Sequence, residues 1–130
     1  MTTLTRTWNA IPATHRSRPL SAFLWTLQIA TAGMFLFAGF LKLNSAPIMV
    51  QEFAVIGVGQ WFRYLTGSIE VVGAVLLLIP SLASYGGAAL AVTMIGAVAT
   101  HLFVLGGSPA MALVLLASTT TIAWARSNSR

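Results

Sequence analysis

Apolar residues run along this chain in long blocks. They do not alternate as in a half-buried strand, nor form the narrow stripe of a water-facing helix. The blocks cover 20–41, 61–79, 82–105 and 109–124. A helix crossing a ~30 Å hydrocarbon layer needs about 20 residues. The fourth block is short for this and would cross untilted or thin the bilayer slightly. The first is too long for a cleaved leader, whose apolar region runs about 7–15 residues, and is read as a span. Pro80 and Ser81 separate the second and third blocks, and GGSP (106–109) separates the third and fourth, with Pro109 suited to a first helical turn. The connector 42–60 is mixed. Pro47, Gly57 and Gly59 argue against a single straight helix there, whereas 48–56 fits a short interfacial or re-entrant one. The pattern predicts an all-α fold, a transmembrane four-helix bundle with a short interfacial or re-entrant segment between helices 1 and 2. Its membrane domain covers 20–125, between polar tails at 1–19 and 126–130.

Composition removes the aqueous alternative. The chain is 57% hydrophobic and 7% charged, against about 25% charged residues in a soluble domain, so a lipid bilayer is the expected solvent. The net charge of +5 is not a nucleic-acid footprint, because Arg6, Arg16, Arg18, Arg126 and Arg130 collect at the two ends and line no common face. Four spans with basic ends predict both termini on the cytoplasmic side of the inner (plasma) membrane. Trp25 and Trp124 then fall at the inner interface, and Trp61 and Tyr64 at the outer one; Trp8 in the tail is a further interfacial candidate. The chain has no cysteine, which removes intrachain disulfides, thiolate metal sites, iron–sulfur ligation and dithiol relays. A haem held between two histidines is unsupported, since the second histidine, His15, lies in the polar tail. No metal site is expected: two carboxylates and one histidine at unrelated spacings match no ligand pattern.

Small residues recur in the spans: Gly33, Gly39, Gly67, Gly73, Gly86, Gly87 and Gly96. Helices in lipid approach closely at such positions, and ordinary tight packing accounts for them.

The polar residues inside the apolar blocks carry the chemical signal. Glu70, one of two acidic residues, stands mid-way along the second block, where an ionisable group costs about 2.5–3.5 kcal/mol to insert. Antiparallel spans bring it towards three other groups: Lys42 at the end of span one, Arg63 at the start of span two, and His101 near the end of span three. Glu70 lies ~13 Å along its helix from Trp61, and His101 ~6–8 Å from the outer end of its own. All four fall in the outer half of one bundle. Arg63, Thr66, Gly67, Glu70, Gly73 and Ala74 share a helical face that should point inward, with Val71, Val72 and 76–78 mostly elsewhere. Two readings of Glu70 stand. It is a structural ion pair with Arg63, Lys42 or His101, or it belongs to a ligand or proton-transfer site. With a cation beside it, it would stay ionised; without one, it would be a neutral proton donor. His101 equally suits a helix-end cap, Lys42 a snorkelling cation, and Glu52 a loop residue, solvated or paired with Lys42.

An ordered set of segments resembles the DoxX-like family of small bacterial membrane proteins. They are AGFLKL (38–43) closing span one, FAVIGV (53–58) in the connector, YLTGSIEVVGAVLLLIP (64–80) with its mid-span glutamate, and GAVATHLF (96–103) with its histidine. The resemblance covers about 22–125. It implies a four-helix membrane fold with recurrent polar positions at Lys42, Glu70 and His101. Some relatives are membrane subunits of quinone-linked sulfur oxidoreductases.

Taken together, these observations predict a polar, outward-facing pocket that binds a quinone or another small amphipathic ligand, in the membrane subunit of a redox assembly. Glu70 and His101 are the catalytic candidates, passing protons to quinone oxygens. Lys42, Arg63 and Thr66 are the ligand-binding candidates, with Lys42 or Arg63 stabilising an anionic form. The chain carries no motif for an intrinsic redox cofactor, so electrons would come from an oxidoreductase partner subunit. A homo-oligomer is compatible with all of this. The alternatives are a non-catalytic membrane scaffold or assembly protein, and a small proton-coupled transporter.

Overall fold

The computed structural model describes residues 18–128, and within them the chain is helical, with no strand. Residues 1–17 of the expected tail, with Arg6, Trp8, His15 and Arg16, lie outside the described residues, as does Arg130, whereas Arg18, expected in that tail, opens the first helix. Helix α1 is Arg18–Leu43, α2 Pro47–Ile56, α3 Gln60–Leu77, α4 Ala83–Thr100 and α5 Ala110–Ser127. A π-helical turn, His101–Leu105, prolongs α4 and closes on a Gly106 N–H to His101 carbonyl bond of 3.0 Å.

The sequence locates most of these boundaries. Ser45, with φ 58°, turns the chain out of α1, and Pro47 opens α2 at a position where its missing N–H costs nothing. Gly57, with φ 83°, ends α2 in the left-handed conformation, its N–H donating back to the Phe53 carbonyl at 3.2 Å. The connector is thus a ten-residue helix, and Glu52, expected in a loop, sits within it. Phe53 holds α2 to α3 through a tilted contact with Phe62 at 5.8 Å, and Gln60 Nε2 donates to the Val50 carbonyl at 3.1 Å. The expected third span, 82–105, is α-helical to Thr100 and π-helical beyond. The helix of the fourth span runs on to Ser127, so Arg126, expected in a tail, stands within α5.

The long helices pack in chain order, each antiparallel to the next: α1 on α3, α3 on α4, α4 on α5. Glycines set the crossings. A Cβ on Gly39 would meet Val71 Cγ2 at 2.6 Å and the Gly67 carbonyl at 2.9 Å; one on Gly86 would meet the Gly73 carbonyl at 2.9 Å. Gly87 admits the α5 backbone at Thr119 in the same way. Gly33 and Gly96, counted with them from the sequence, have nothing within 4 Å and make no such contact. Phe35, Ala74, Leu77, Leu90 and Ile122 fill the interior, while Phe37, Val92, Phe103 and Trp124 point outward. Leu77 corrects the expected helical face: it is fully buried because the inward stripe of α3 continues from Glu70 through Ala74 to it.

By length and composition, α1, α4 with its π-turn, and α5 can each cross a membrane. These three helices and the apolar outer surface make this a multi-pass membrane protein. Helix α3 is not among the three. Gln60, Arg63 and Glu70 lie in it, and both charged residues are buried.

Candidate functional site

The last turn of α1 and the middle of α3 meet at a glycine. A Cβ on Gly67 would lie 2.9 Å from Lys42 Cβ, so only the bare backbone lets the lysine stem run alongside α3. One turn further along α3, Lys42 Nζ lies 2.8 Å from Glu70 Oε1. Glu70 is 2% exposed and Lys42 14%, so both charges have left water. Their attraction offsets a desolvation cost of several kcal/mol per ion. The contact is an ion pair by distance, yet Oε1 has no hydrogen-bond donor aligned on it among the described residues.

Lys42 and Glu70 open onto a cavity of about 340 Å³, within the ~300–1,000 Å³ of small-molecule sites. Four elements besides α1 line it. Helix α2 supplies Glu52, Phe53 and Ile56; α3 supplies Phe62, Leu65, Thr66 and Ile69 beside Glu70. Helix α4 lends Val92, Thr93, Met94, Gly96, Ala97 and Thr100, and the π-turn adds His101 and Leu105. The lining is mainly apolar, with convergent polar groups at Lys42, Glu52, Thr66, Glu70 and His101.

The structure therefore brings four of the five expected site residues to one cavity. His101 Nδ1 is 3.3 Å from the Gly106 carbonyl, which orients the ring at the π-turn. Local π geometry is frequent where a helix carries function. The Thr66 hydroxyl donates to the Phe62 carbonyl at 2.9 Å within its own helix. Arg63 is the exception. It is buried but does not line the cavity, and Glu70 is not its partner. Its Nη1 donates to the Lys42 carbonyl, its Nε donates to Gln60 Oε1 at 2.7 Å, and its guanidinium lies 4.3 Å over the Tyr64 ring. That carbonyl is among the last four of α1, which have no intrahelical donor, so Arg63 caps α1 and steadies the turn that holds Lys42. Glu52 lines the cavity from α2, and the ion pair of Lys42 is with Glu70.

A second polar cluster escaped the sequence reading. Gln28, fully buried in α1, donates from Nε2 to the Leu77 carbonyl at 2.6 Å and accepts from Arg126 Nε at 2.6 Å. Arg126 also lies 5.3 Å from the Trp25 ring. The cluster ties the ends of α3 and α5 to α1 at the end of the molecule opposite the cavity. A single amide within a long apolar run is the signal that marks it, since such a side chain bonds across helices in lipid.

Fold and site define a polytopic helical membrane protein with an ion pair buried beside a half-open cavity. The family model of the DoxX-like family matches residues 26–125, and the chain belongs to that family. Comparison with curated proteins and with solved structures finds no match.

Proposed function

We propose that α3 is a fourth span, so that the domain is a four-helix membrane bundle with α2 as its interfacial or re-entrant segment, and that the cavity binds a quinone or similar amphiphile. The two charges that lower the hydropathy of α3 are Arg63 and Glu70, 3% and 2% exposed, so neither meets lipid. The basic residues Arg18 and Arg126 lie at the Trp25–Trp124 end, which supports a cytoplasmic position for that end and an outward position for the cavity.

The observation that carries the ligand assignment is the Lys42–Glu70 pair at the wall of a mainly apolar cavity that Glu52, Thr66 and His101 also line. A flat apolar ring fits between the Phe and Ile side chains, and its oxygens find an ammonium, a carboxyl and an imidazole. In this role the chain is the membrane subunit of a redox assembly. A partner oxidoreductase delivers two electrons. Lys42 turns from Glu70 to offset the negative charge that builds on the oxygens, and Glu70, so released, and His101 each relay one proton taken up from water to complete the quinol. Arg63 acts by positioning Lys42.

The test is a titration of the purified protein with a decyl-benzoquinone, read as thermal stability. The double variant Lys42→Met with Glu70→Gln, which keeps the charge balance, serves as comparison. The wild type should show a saturable rise in Tm that the double variant lacks. No rise, or an equal rise in both, overturns the assignment. A scaffold role has its own support in the same pair, because the ion pair also clamps α1 to α3. It predicts a loss of stability in each single variant with no ligand effect in any.

A further inference from the structure

A second concavity lies beside the first. It is a shallower and more open groove, lined by Ser68, Ile69, Val72, Gly73 and Leu76 of α3 and by Ala89 of α4. Ile69 lines both. The spacing shows that the two share one seam. Along α3 the lining positions run Phe62, Leu65, Ile69, Val72, Leu76, and along the antiparallel α4 they run Ala89, Val92 or Thr93, Gly96, Thr100. Both series step by three and four, which keeps each on one helical face. The polar cavity at one end thus continues into an apolar furrow that follows α3 for ~10 Å from Ile69 to Leu76. The furrow is open to the side: Val72 is 58% exposed and Ala89 is exposed. Its floor is Gly73, where a Cβ would strike Leu90 at 2.7 Å.

We propose that the site takes a two-part ligand, a polar head in the cavity and one linear apolar tail lying in the α3–α4 furrow, and that this ligand enters sideways from the bilayer past Ile69. This rests on the assignment of the cavity as a ligand site and adds the class of ligand and its route. The charged wall stops at Glu70, and from Ile69 to Leu76 the furrow is apolar, with Ser68 exposed at its near edge as its one polar side chain. A compact water-soluble ligand would leave the furrow unused. A prenyl or alkyl chain fills it through dispersion contacts with Val72 and Leu76 and stays in contact with lipid throughout. An isoprenoid quinone and a single-chain fatty acid share this chemistry.

The test compares three probes in lipid nanodiscs: decyl-benzoquinone, a benzoquinone with a methyl in place of the chain, and decanoate. Each is titrated against the wild type, Ala89→Phe, Ser68→Phe, and the Lys42→Met Glu70→Gln double variant. The two phenylalanines enter the furrow from exposed positions that do not themselves line the cavity, and their Tm without ligand reports folding. Either one should weaken the decyl-quinone about five- to tenfold, the scale of a set of lost dispersion contacts, and leave the methyl-quinone unchanged. Comparing one probe across variants cancels its partition into lipid. If decanoate shows the furrow dependence and the quinone pair does not bind, the tail assignment stands with a carboxylate lipid as its source. If both quinones bind, lose affinity in the double variant, and ignore both phenylalanines, the furrow assignment is overturned while the cavity assignment survives. If no probe binds the wild type, both are overturned.

Discussion

Lys42 reaches Glu70 across the α1–α3 crossing, at 2.8 Å, because Gly67 leaves room for its stem. Either charge alone at this depth would be costly. The pair is tolerable because it is close and because Arg63 fixes the turn from which Lys42 projects.

The energetics of that pair can be separated from its function. Lys42→Met and Glu70→Gln should each destabilise the protein by about 3–5 kcal/mol if a buried charge is left unpaired. The double variant should recover much of the loss of either single change. Thermal unfolding in detergent across the four proteins gives the coupling directly, and additive losses would mean that the two charges do not depend on one another.

Arg63→Met should behave differently. Its loss leaves the Lys42 carbonyl with the long Ser45 N–H bond alone and Gln60 Oε1 without its donor, at about 1–3 kcal/mol. Glu70→Gln should not rescue it, since the guanidinium bonds the end of α1 and not the carboxylate. Rescue in the same unfolding series would place Arg63 in the ion-pair network.

Gly67 and Gly96 form a matched pair of tests. Gly67→Ala puts a methyl 2.9 Å from Lys42 Cβ and should cost about 1–3 kcal/mol by overpacking. Gly96→Ala meets nothing within 4 Å and should fold as the wild type does. Equal Tm values for the two variants would contradict the close crossing at Gly67.

The membrane topology has its own check. Reporter fusions after Ser108 and after Asn128, at opposite ends of α5, should report opposite sides of the membrane, with Asn128 on the cytoplasmic side. A shared side for both would remove α5 as a span and, with it, the outward position of the cavity.

Much of this was legible in the sequence because lipid imposes simple rules. Long apolar blocks gave the helices, and Pro47, Gly57 and Gly59 bounded the short connector helix. Helical rise and antiparallel order brought Glu70, Lys42 and His101 to one end. The site detail was less legible. Which cation pairs with Glu70 depends on side-chain reach at a glycine crossing, and the sequence offers Lys42 and Arg63 alike. Glu52 falls inside the short helix that 48–56 predicts, and its place on the cavity wall depends on how α2 packs on its neighbours, which spacing does not report. Gln28 was passed over because its partners, Leu77 and Arg126, are 49 and 98 residues away. The furrow beside the cavity depends on side-chain shape along the α3–α4 seam, which no spacing rule reports.

The most direct test of the central claim, that the cavity beside Lys42 and Glu70 holds an amphiphilic ligand, is mass spectrometry of small molecules retained after purification in mild detergent. The wild type should carry a tailed quinone or single-chain lipid enriched over the bulk membrane extract, and the Lys42→Met Glu70→Gln double variant, folded by its Tm, should have lost it. A wild type that retains nothing above the bulk extract, or a double variant that retains the same molecule equally well, would contradict it.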